Sequence, residues 1–134
     1  MRGDVALSGN FGYELDLSSL SQEDLCEIRR QIAQVKEIRR TTQQGVFTRL
    51  LSPFKGNVTA WQFADDRRVI LCAYRVLAKP NAAPLRLRLA NLEEGQYRAP
   101  DGTVYTAQAL MNAGIRPQFD RGDFTSCVMI FERI

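Results

Sequence analysis

The stretch Gly9–Gly45 reads GNFGYELDLSSLSQEDLCEIRRQIAQVKEIRRTTQQG, and its second half predicts one long amphipathic helix over residues 21–44. Ser21 followed three residues later by Asp24 approximates a capping box, and Gly45 stands where a helix C-cap is expected. Apolar residues recur at spacings of three and four and share one stripe: Leu25, Ile28, Ile32, Val35 and Ile38. At about 1.5 Å per residue the helix is roughly 36 Å long, so its apolar stripe must pack across a large part of a folded domain.

The residues on either side of this helix predict two different architectures. Before it, the apolar run Val5–Leu7, ending at Gly9, predicts a buried strand, so residues 1–45 resemble one strand-helix unit cut from a parallel α/β fold. After it, turn residues separate seven short apolar or alternating runs, at residues 46–51, 58–64, 68–77, 85–89, 96–99, 103–105 and 124–131. A helical turn is expected at residues 106–113.

The predicted fold class is mainly β. It consists of an antiparallel β-sandwich over residues 46–134, preceded by one long helix and a short strand in residues 1–45. The run over residues 68–77 is apolar almost throughout, which predicts a strand buried on both faces. Leu85–Leu89 alternates between apolar and charged residues, which predicts a strand with one solvent-exposed face. Asp101–Gly102 predicts a hairpin turn, and Pro100 beside it favours an edge position.

Composition and charge exclude several classes of protein. The chain has 134 residues, 45% of them hydrophobic and 25% charged, which is typical of one globular domain. Its net charge is +3, but the helix cations are interleaved with glutamates, which favours a solvated face over a nucleic-acid site. No apolar run approaches the length of about 18 residues that a membrane helix needs, and no signal peptide is expected. We therefore expect a soluble, cytoplasmic protein.

The cysteine pattern gives no sign of a metal site or a bound cofactor. Cys26, Cys72 and Cys127 have no CxxC spacing, and the chain contains no histidine. We interpret all three as small buried hydrophobic residues of a reducing compartment. The lack of histidine also excludes Ser/His and Cys/His nucleophile pairs, so any catalysis would rest on carboxylates, lysine or tyrosine.

Two pairs of carboxylates are candidates for acid/base chemistry. Asp65 and Asp66 are adjacent between two apolar strands, a pattern that favours a turn over a catalytic pair. Glu14 and Asp16 follow the first predicted strand, where a barrel enzyme would build its substrate pocket. The alternative is that they cap the backbone or pair with a helix cation near the helix start, and this alternative is favoured.

Four aromatic residues raise a sugar-binding alternative, since sugar rings stack on exposed aromatic side chains. They are Trp61, Tyr74, Tyr97 and Tyr105. A single tryptophan inside an alternating strand is more often part of a core than a binding platform. We therefore expect a structural role for the β domain, with a small carbohydrate-binding domain as the alternative.

Six stretches, in register along the whole chain, resemble the C-terminal end of the bacterial α-galactosidases (melibiases) of glycoside hydrolase family thirty-six. They are Gly9–Asp16, Lys36–Arg39, Arg49–Phe54, Tyr74–Ala78, Leu110–Gly114 and Gly122–Phe124. The resemblance implies that Val5–Gly9 is the last strand and residues 21–44 the last helix of a (β/α)₈ barrel. It also implies that residues 46–134 form the C-terminal β-sandwich of such an enzyme.

The resemblance implies a retaining hydrolysis of terminal α-galactosides, with one aspartate attacking the anomeric carbon and another serving as acid and then base. Those aspartates belong to Lys-Trp-Asp and Ser-Asp-Asp contexts, and this sequence contains neither. No residue here is therefore assigned as catalytic, cofactor-binding or metal-binding, and the chain alone is expected to be inactive. Its expected partners are the missing barrel and, through the apolar stripe, another copy of the chain.

Overall fold

A computed structural model describes residues 1–134 and contains one six-stranded antiparallel sheet with a long helix on one face. The helices are α1 (Arg2–Ala6), α2 (Gln22–Gln44) and α3 (Ala107–Asn112), and a 3₁₀ turn covers Leu17–Ser19. The strands are β1 (Val46–Leu51), β2 (Val58–Ala64), β3 (Arg68–Arg75), β4 (Gln96–Arg98), β5 (Val104–Thr106) and β6 (Thr125–Arg133). Their order across the sheet is β1-β2-β3-β6-β4-β5.

Helix α2 begins and ends at the predicted residues. The Ser21 hydroxyl accepts a hydrogen bond of 3.1 Å from the Asp24 backbone N–H and donates one of 2.6 Å to Asp24 Oδ2. At the other end the Gly45 N–H donates to the Thr41 carbonyl at 3.0 Å. Gly45 is needed because a Cβ there would lie 2.4 Å from that carbonyl oxygen and 2.7 Å from the carbonyl oxygen of Ala64.

Strand β3 forms the centre of the protein, and its predicted burial on both faces is confirmed. Six of its eight residues are buried. The prediction was wrong for Val76 and Leu77, which lie beyond the end of the strand and are exposed. Val69, Leu71 and Ala73 belong to the core on one face, whereas the alternate residues Ile70, Cys72 and Tyr74 belong to a second core on the other face. The sheet is therefore covered on both sides.

The C-terminal half of α2 covers one face of the sheet. Ile38 and Thr41 are buried there, and Ile38 packs with Leu7 against the β3 side chains. Four stripe residues nearer the helix start are only half-buried: Leu25, Ile28, Ile32 and Val35. The helix thus folds back on the sheet with one end and leaves an apolar cleft at the other.

The opposite face is covered by the run Leu85–Leu92 and by α3, without a regular second sheet. Leu87 and Leu89 are buried while Arg86 and Arg88 are exposed, so the predicted alternation is confirmed. The predicted strand at residues 85–89 is wrong, because the run makes only one isolated bridge, between Leu87 and Ile115. The next hydrogen bond, from the Leu89 N–H, goes to the Leu110 carbonyl in α3.

The predicted strand at Val5–Leu7 is also wrong. Arg2–Ala6 form helix α1 instead, with Leu7 in the turn that follows. A strand here would need a parallel neighbour, and every pairing in the sheet is antiparallel. Helix α1 is held by its Asp4, whose backbone oxygen accepts a hydrogen bond of 2.6 Å from the Tyr74 hydroxyl.

The mainly antiparallel β fold with one long helix is confirmed. The Asp101–Gly102 turn joins β4 to β5, with Gly102 at φ +84°, and β5 is an edge strand as Pro100 suggested. None of the helices has the length and apolar character required to span a membrane.

Candidate functional site

A partly apolar cleft lies between the segment Leu7–Leu17 and helix α2. It has a volume of about 480 Å³ and 15 lining residues, eight of them hydrophobic. The hydrophobic side includes Leu7, Phe11, Leu15, Leu17, Ile28, Ile32 and Val35, and the cationic rim consists of Lys36 and Arg39. The cleft thus opens directly onto the half-buried part of the helix stripe.

An alternating segment forms one wall of this cleft. Phe11 and Tyr13 are half-buried while Gly12 and Glu14 are exposed, so the two rings face α2 and lie edge to face with centroids 5.3 Å apart. The Tyr13 hydroxyl donates a hydrogen bond to Gln31 Oε1 on the helix. Burial, followed by the nearby Glu27 carboxylate, raises the pKa of Tyr13. This alternation was visible in the sequence, but its contact with α2 was not.

Glu27 lies on α2, beside the contact between Gln31 and Tyr13. Its carboxylate accepts hydrogen bonds of 2.8 and 2.6 Å from the Arg30 guanidinium and one of 2.6 Å from Gln31 Nε2. The bonds from Arg30, and then the bond from Gln31, lower the pKa of Glu27 to about 2. Gln31 therefore links Glu27 to Tyr13 and holds the segment against the helix.

Glu14 and Asp16, the candidate carboxylates in this segment, do not form a pair facing the cleft. Asp16 caps the 3₁₀ turn, since its Oδ1 accepts hydrogen bonds from the Ser18 N–H at 2.9 Å and the Ser18 hydroxyl at 2.6 Å. These bonds lower the pKa of Asp16. Glu14 is exposed, and neither carboxylate lines the cleft.

Asp65 and Asp66 shape the turn between β2 and β3. Asp65 Oδ1 accepts hydrogen bonds of 2.9 Å from the N–H groups of both Arg67 and Arg68, and Asp66 pairs with Arg40 of α2 at 2.9 Å. Both carboxylates are thus used to close the turn and tie it to the helix. This is the turn role that the sequence favoured.

The four aromatic residues that suggested sugar binding do not present an open ring. Tyr74 and Tyr97 are buried, and Trp61 and Tyr105 are half-buried. The Trp61 ring packs against Tyr74 with centroids 4.6 Å apart, and its indole N–H donates a hydrogen bond of 2.7 Å to the Ser8 hydroxyl. Burial raises the pKa of both Tyr74 and Tyr97.

The cysteines are divided between core and surface. Cys72 and Cys127 are buried as predicted, and burial raises the pKa of Cys72 to about 12, so its thiol stays protonated. Cys26 is exposed, which contradicts the expectation for all three; it lies on the solvent side of α2. No group of three or more cysteine or carboxylate side chains is placed to hold a metal ion.

The cleft is suited to binding rather than to catalysis. Its lining includes two cations and eight hydrophobic residues but no carboxylate, so it lacks the carboxyl groups on which a glycosidase relies as acid and base. A concave apolar surface of this kind is typical of a contact with another folded unit.

Comparison with known proteins gives consistent matches over the whole chain. The profile of the glycosyl hydrolase family 36 C-terminal domain matches residues 58–131, and the melibiase profile matches residues 1–45. Alpha-galactosidase AgaA of Geobacillus stearothermophilus is 44% identical over 128 residues, which cover 93% of this chain and 18% of that enzyme. Alpha-galactosidase Mel36A of Lactobacillus acidophilus is 31% identical, covering 99% of this chain and 19% of its own length.

Solved structures agree with these matches. The crystal structure of the family 36 α-galactosidase AgaA covers 99% of this chain with a TM-score of 0.93 and 40% identity. The α-galactosidase from Lactobacillus brevis covers the same share with a TM-score of 0.92 and 32% identity. The chain spans only 19% and 20%, respectively, of those two chains.

Proposed function

Because the chain belongs to glycosyl hydrolase family 36, we propose that it is the C-terminal, non-catalytic portion of an α-galactosidase. The enzyme would hydrolyse terminal α-galactosides of the melibiose and raffinose type with retention of configuration. The chain's own role is structural, and by itself it is inactive.

One observation carries this proposal. Two family profiles match side by side, melibiase over residues 1–45 and the C-terminal domain over residues 58–131, as they would where a catalytic domain meets its C-terminal neighbour. We accordingly assign residues 1–45 to the end of the barrel domain and residues 46–134 to the β domain. Leu7 and Ile38 share a core with β3, so the two parts pack against each other.

The hydrogen bonds of the candidate carboxylates support a non-catalytic role. A retaining glycosidase needs two carboxyl groups about 5 to 5.5 Å apart around the scissile bond. In this chain Asp16, Asp65 and Asp66 are each committed to caps or turns. Catalysis is therefore assigned to residues outside these 134.

The apolar cleft indicates what the chain contacts. Leu15 and Leu17 are 47% and 53% exposed beside it, and apolar surface of this kind is stabilised when another folded unit covers it. We propose that the barrel of the enzyme covers this surface in the whole protein and that the isolated chain covers it by self-association. We also assign the enzyme to the cytoplasm, because buried unpaired Cys72 and Cys127 suit a reducing compartment.

A chimera tests the proposed function. The stretch of AgaA that aligns with this chain over 128 residues is replaced by this chain, and hydrolysis of p-nitrophenyl α-galactoside is measured. We expect the chimera to be active, an AgaA truncated before the same point to be inactive, and the 134-residue chain alone to be inactive. A folded but inactive chimera, or turnover by the isolated chain, would overturn the proposal.

A further inference from the structure

The chain's three buried side-chain polar atoms without a hydrogen-bond partner all lie at one end of the sheet. They are Asn57 Nδ2, Arg75 Nε and Thr125 Oγ1. In the strand ladder Arg75 pairs with Val58, which follows Asn57, and on its other side with Thr125. Unpartnered buried polar atoms are rare in native proteins, so three of them at one place call for an explanation.

Two adjoining clefts open at this end of the sheet, and together they form a groove. One has a volume of about 610 Å³ and includes Arg75, Arg116 and Phe119 in its lining. The other has a volume of about 640 Å³ and includes Arg49, Lys55 and Asn57. Both are lined by Val58 and Leu85, which therefore lie where the two clefts meet.

The groove is strongly cationic. Its lining includes the cations Lys55, Arg75 and Arg116 and no carboxylate. Arg49 borders it through the strand, but Arg49 pairs with Trp61, which packs on the α2 face of the sheet. None of the three groove cations belongs to an ion pair. Clustered cations without counter-charges raise the local concentration of anions.

Arg75 is held in place from one side only. Its Nη2 donates hydrogen bonds of 2.6 and 3.0 Å to the carbonyls of Asp120 and Gly122, and its guanidinium lies 4.9 Å from the Phe119 ring centre. These contacts fix the guanidinium plane and leave the buried Nε–H without an acceptor. The Asn57 amide nitrogen is likewise buried without a partner, so donors outnumber acceptors beside the groove.

We propose that this groove binds the phosphate group of a small molecule. A phosphate accepts hydrogen bonds at every exposed oxygen and carries the negative charge that three neighbouring cations attract, and arginine matches its geometry with a two-pronged contact. Val58, Leu85 and Phe119 supply an apolar surface for the rest of the ligand. This site is independent of the structural role proposed above, so its failure would leave that role intact.

Titration of the ¹⁵N-labelled full chain at low ionic strength tests the site. Three probes are compared: inorganic phosphate, galactose 1-phosphate and galactose. We expect saturable shifts of the Asn57 side-chain amide, the Arg75 Nε–H and the Val58 amide with both phosphates and none with galactose. Tighter binding of galactose 1-phosphate assigns the site to phosphorylated sugars, and equal binding assigns it to free phosphate.

Matched variants separate a built site from general charge attraction. Arg116→Gln removes an exposed cation of the groove and should weaken phosphate binding by at least about fivefold, and Asn57→Asp should abolish it. Arg88→Gln removes an exposed arginine outside the groove and should change the affinity by less than about twofold. The proposal is overturned if no shift saturates at millimolar phosphate, if galactose binds equally, or if Arg88→Gln matches Arg116→Gln.

Discussion

Thr41, in the last turn of helix α2, donates a hydrogen bond of 2.7 Å from its hydroxyl to Asp65 Oδ2 in the turn between β2 and β3. Thr41 is buried, and the same carboxylate also accepts hydrogen bonds from two backbone N–H groups of the turn. This single contact therefore joins the helix end to the closure of the central hairpin.

Thr41→Val should lower the free energy of unfolding by about 1 to 3 kcal/mol, because it leaves one oxygen of a charged acceptor without its donor. Urea denaturation measures the loss. Thr42→Val is the matched control, since the Thr42 hydroxyl bonds only to the Arg39 carbonyl of its own helix. Equal losses in the two variants would show that the contact with Asp65 adds nothing.

Protonation of Asp65 should make the protein less stable at acidic pH. Burial alone would raise the pKa of Asp65, but the hydrogen bonds from Thr41, Arg67 and Arg68 outweigh it and hold the pKa below its ordinary value. A carboxyl group whose folded pKa is lowered contributes stability above its unfolded pKa of about 3.9 and loses it as the pH falls through the folded pKa. We expect the stability difference between the natural chain and Asp65→Asn to be constant near neutral pH and to shrink below about pH 4.

Urea denaturation of both proteins from neutral pH to about pH 3 checks this expectation. The other carboxyl groups are present in both chains, so their titration cancels in the difference. A difference that stays constant over the whole range would contradict the role assigned to Asp65.

Gly45→Ala should cost about 1 to 3 kcal/mol, because the added methyl group would lie 2.4 Å from the Thr41 carbonyl oxygen and force the helix end away from β2. The backbone conformation is not the cause, since the φ of Gly45 is −75°. Thermal or urea unfolding measures the cost. Gly56→Ala is the control, with nothing within 4 Å of the added atom, and should change stability by less than about 0.5 kcal/mol.

Galactose, melibiose and raffinose should not bind to the isolated chain, so titration with them should give no saturable heat. The rings of Trp61, Tyr74, Tyr97 and Tyr105 are covered to different degrees, and none is an open platform for stacking. Isothermal calorimetry at millimolar sugar checks this, with Trp61 fluorescence as a second readout. Saturable heat accompanied by a change in fluorescence would favour a carbohydrate-binding role.

The isolated chain should self-associate through the cleft beside α2. Light scattering at high micromolar concentration is expected to report a dimer or larger species, and Ile32→Lys, which places a charge in the cleft, should shift it towards monomer. Ala33→Lys, on the exposed side of the same helical turn, should leave association unchanged. A monomer at every concentration would contradict self-association.

Local periodicity was sufficient for most of the secondary structure. The stripe from Leu25 to Ile38 and the cap at Ser21 predicted α2, and the predicted bounds of β1 and β2 agree with the structure. The strand predicted at Val5–Leu7 was wrong because three apolar residues fit a strand and a helical turn equally well. Only the lack of a parallel partner strand decides between them. The strand predicted at Leu85–Leu89 was wrong because alternation of apolar and polar residues indicates which side chains are buried, whereas a strand also needs a neighbouring strand to pair with.

The candidate sites could not be predicted from the sequence, because they depend on pairing between strands that are distant along the chain. Arg75, Asn57 and Thr125 come together only because β6 pairs with β3 rather than with β5, its nearest strand in sequence. The turn role of Asp65 was predictable from its neighbours, but its contact with Thr41 was not. Residues 24 apart meet there because α2 folds back across the sheet.

The attachment of helix α1 has a consequence for the order of folding. Asp4 accepts hydrogen bonds from Tyr74 of β3 and from Ser126 of β6, partners that lie 70 and 122 residues further along the chain. Contacts of such high sequence separation form late, since their loop-closure entropy is offset only when the intervening structure exists. During synthesis helix α1 must therefore wait, with Leu7 unprotected, until β6 has left the ribosome and completed the sheet.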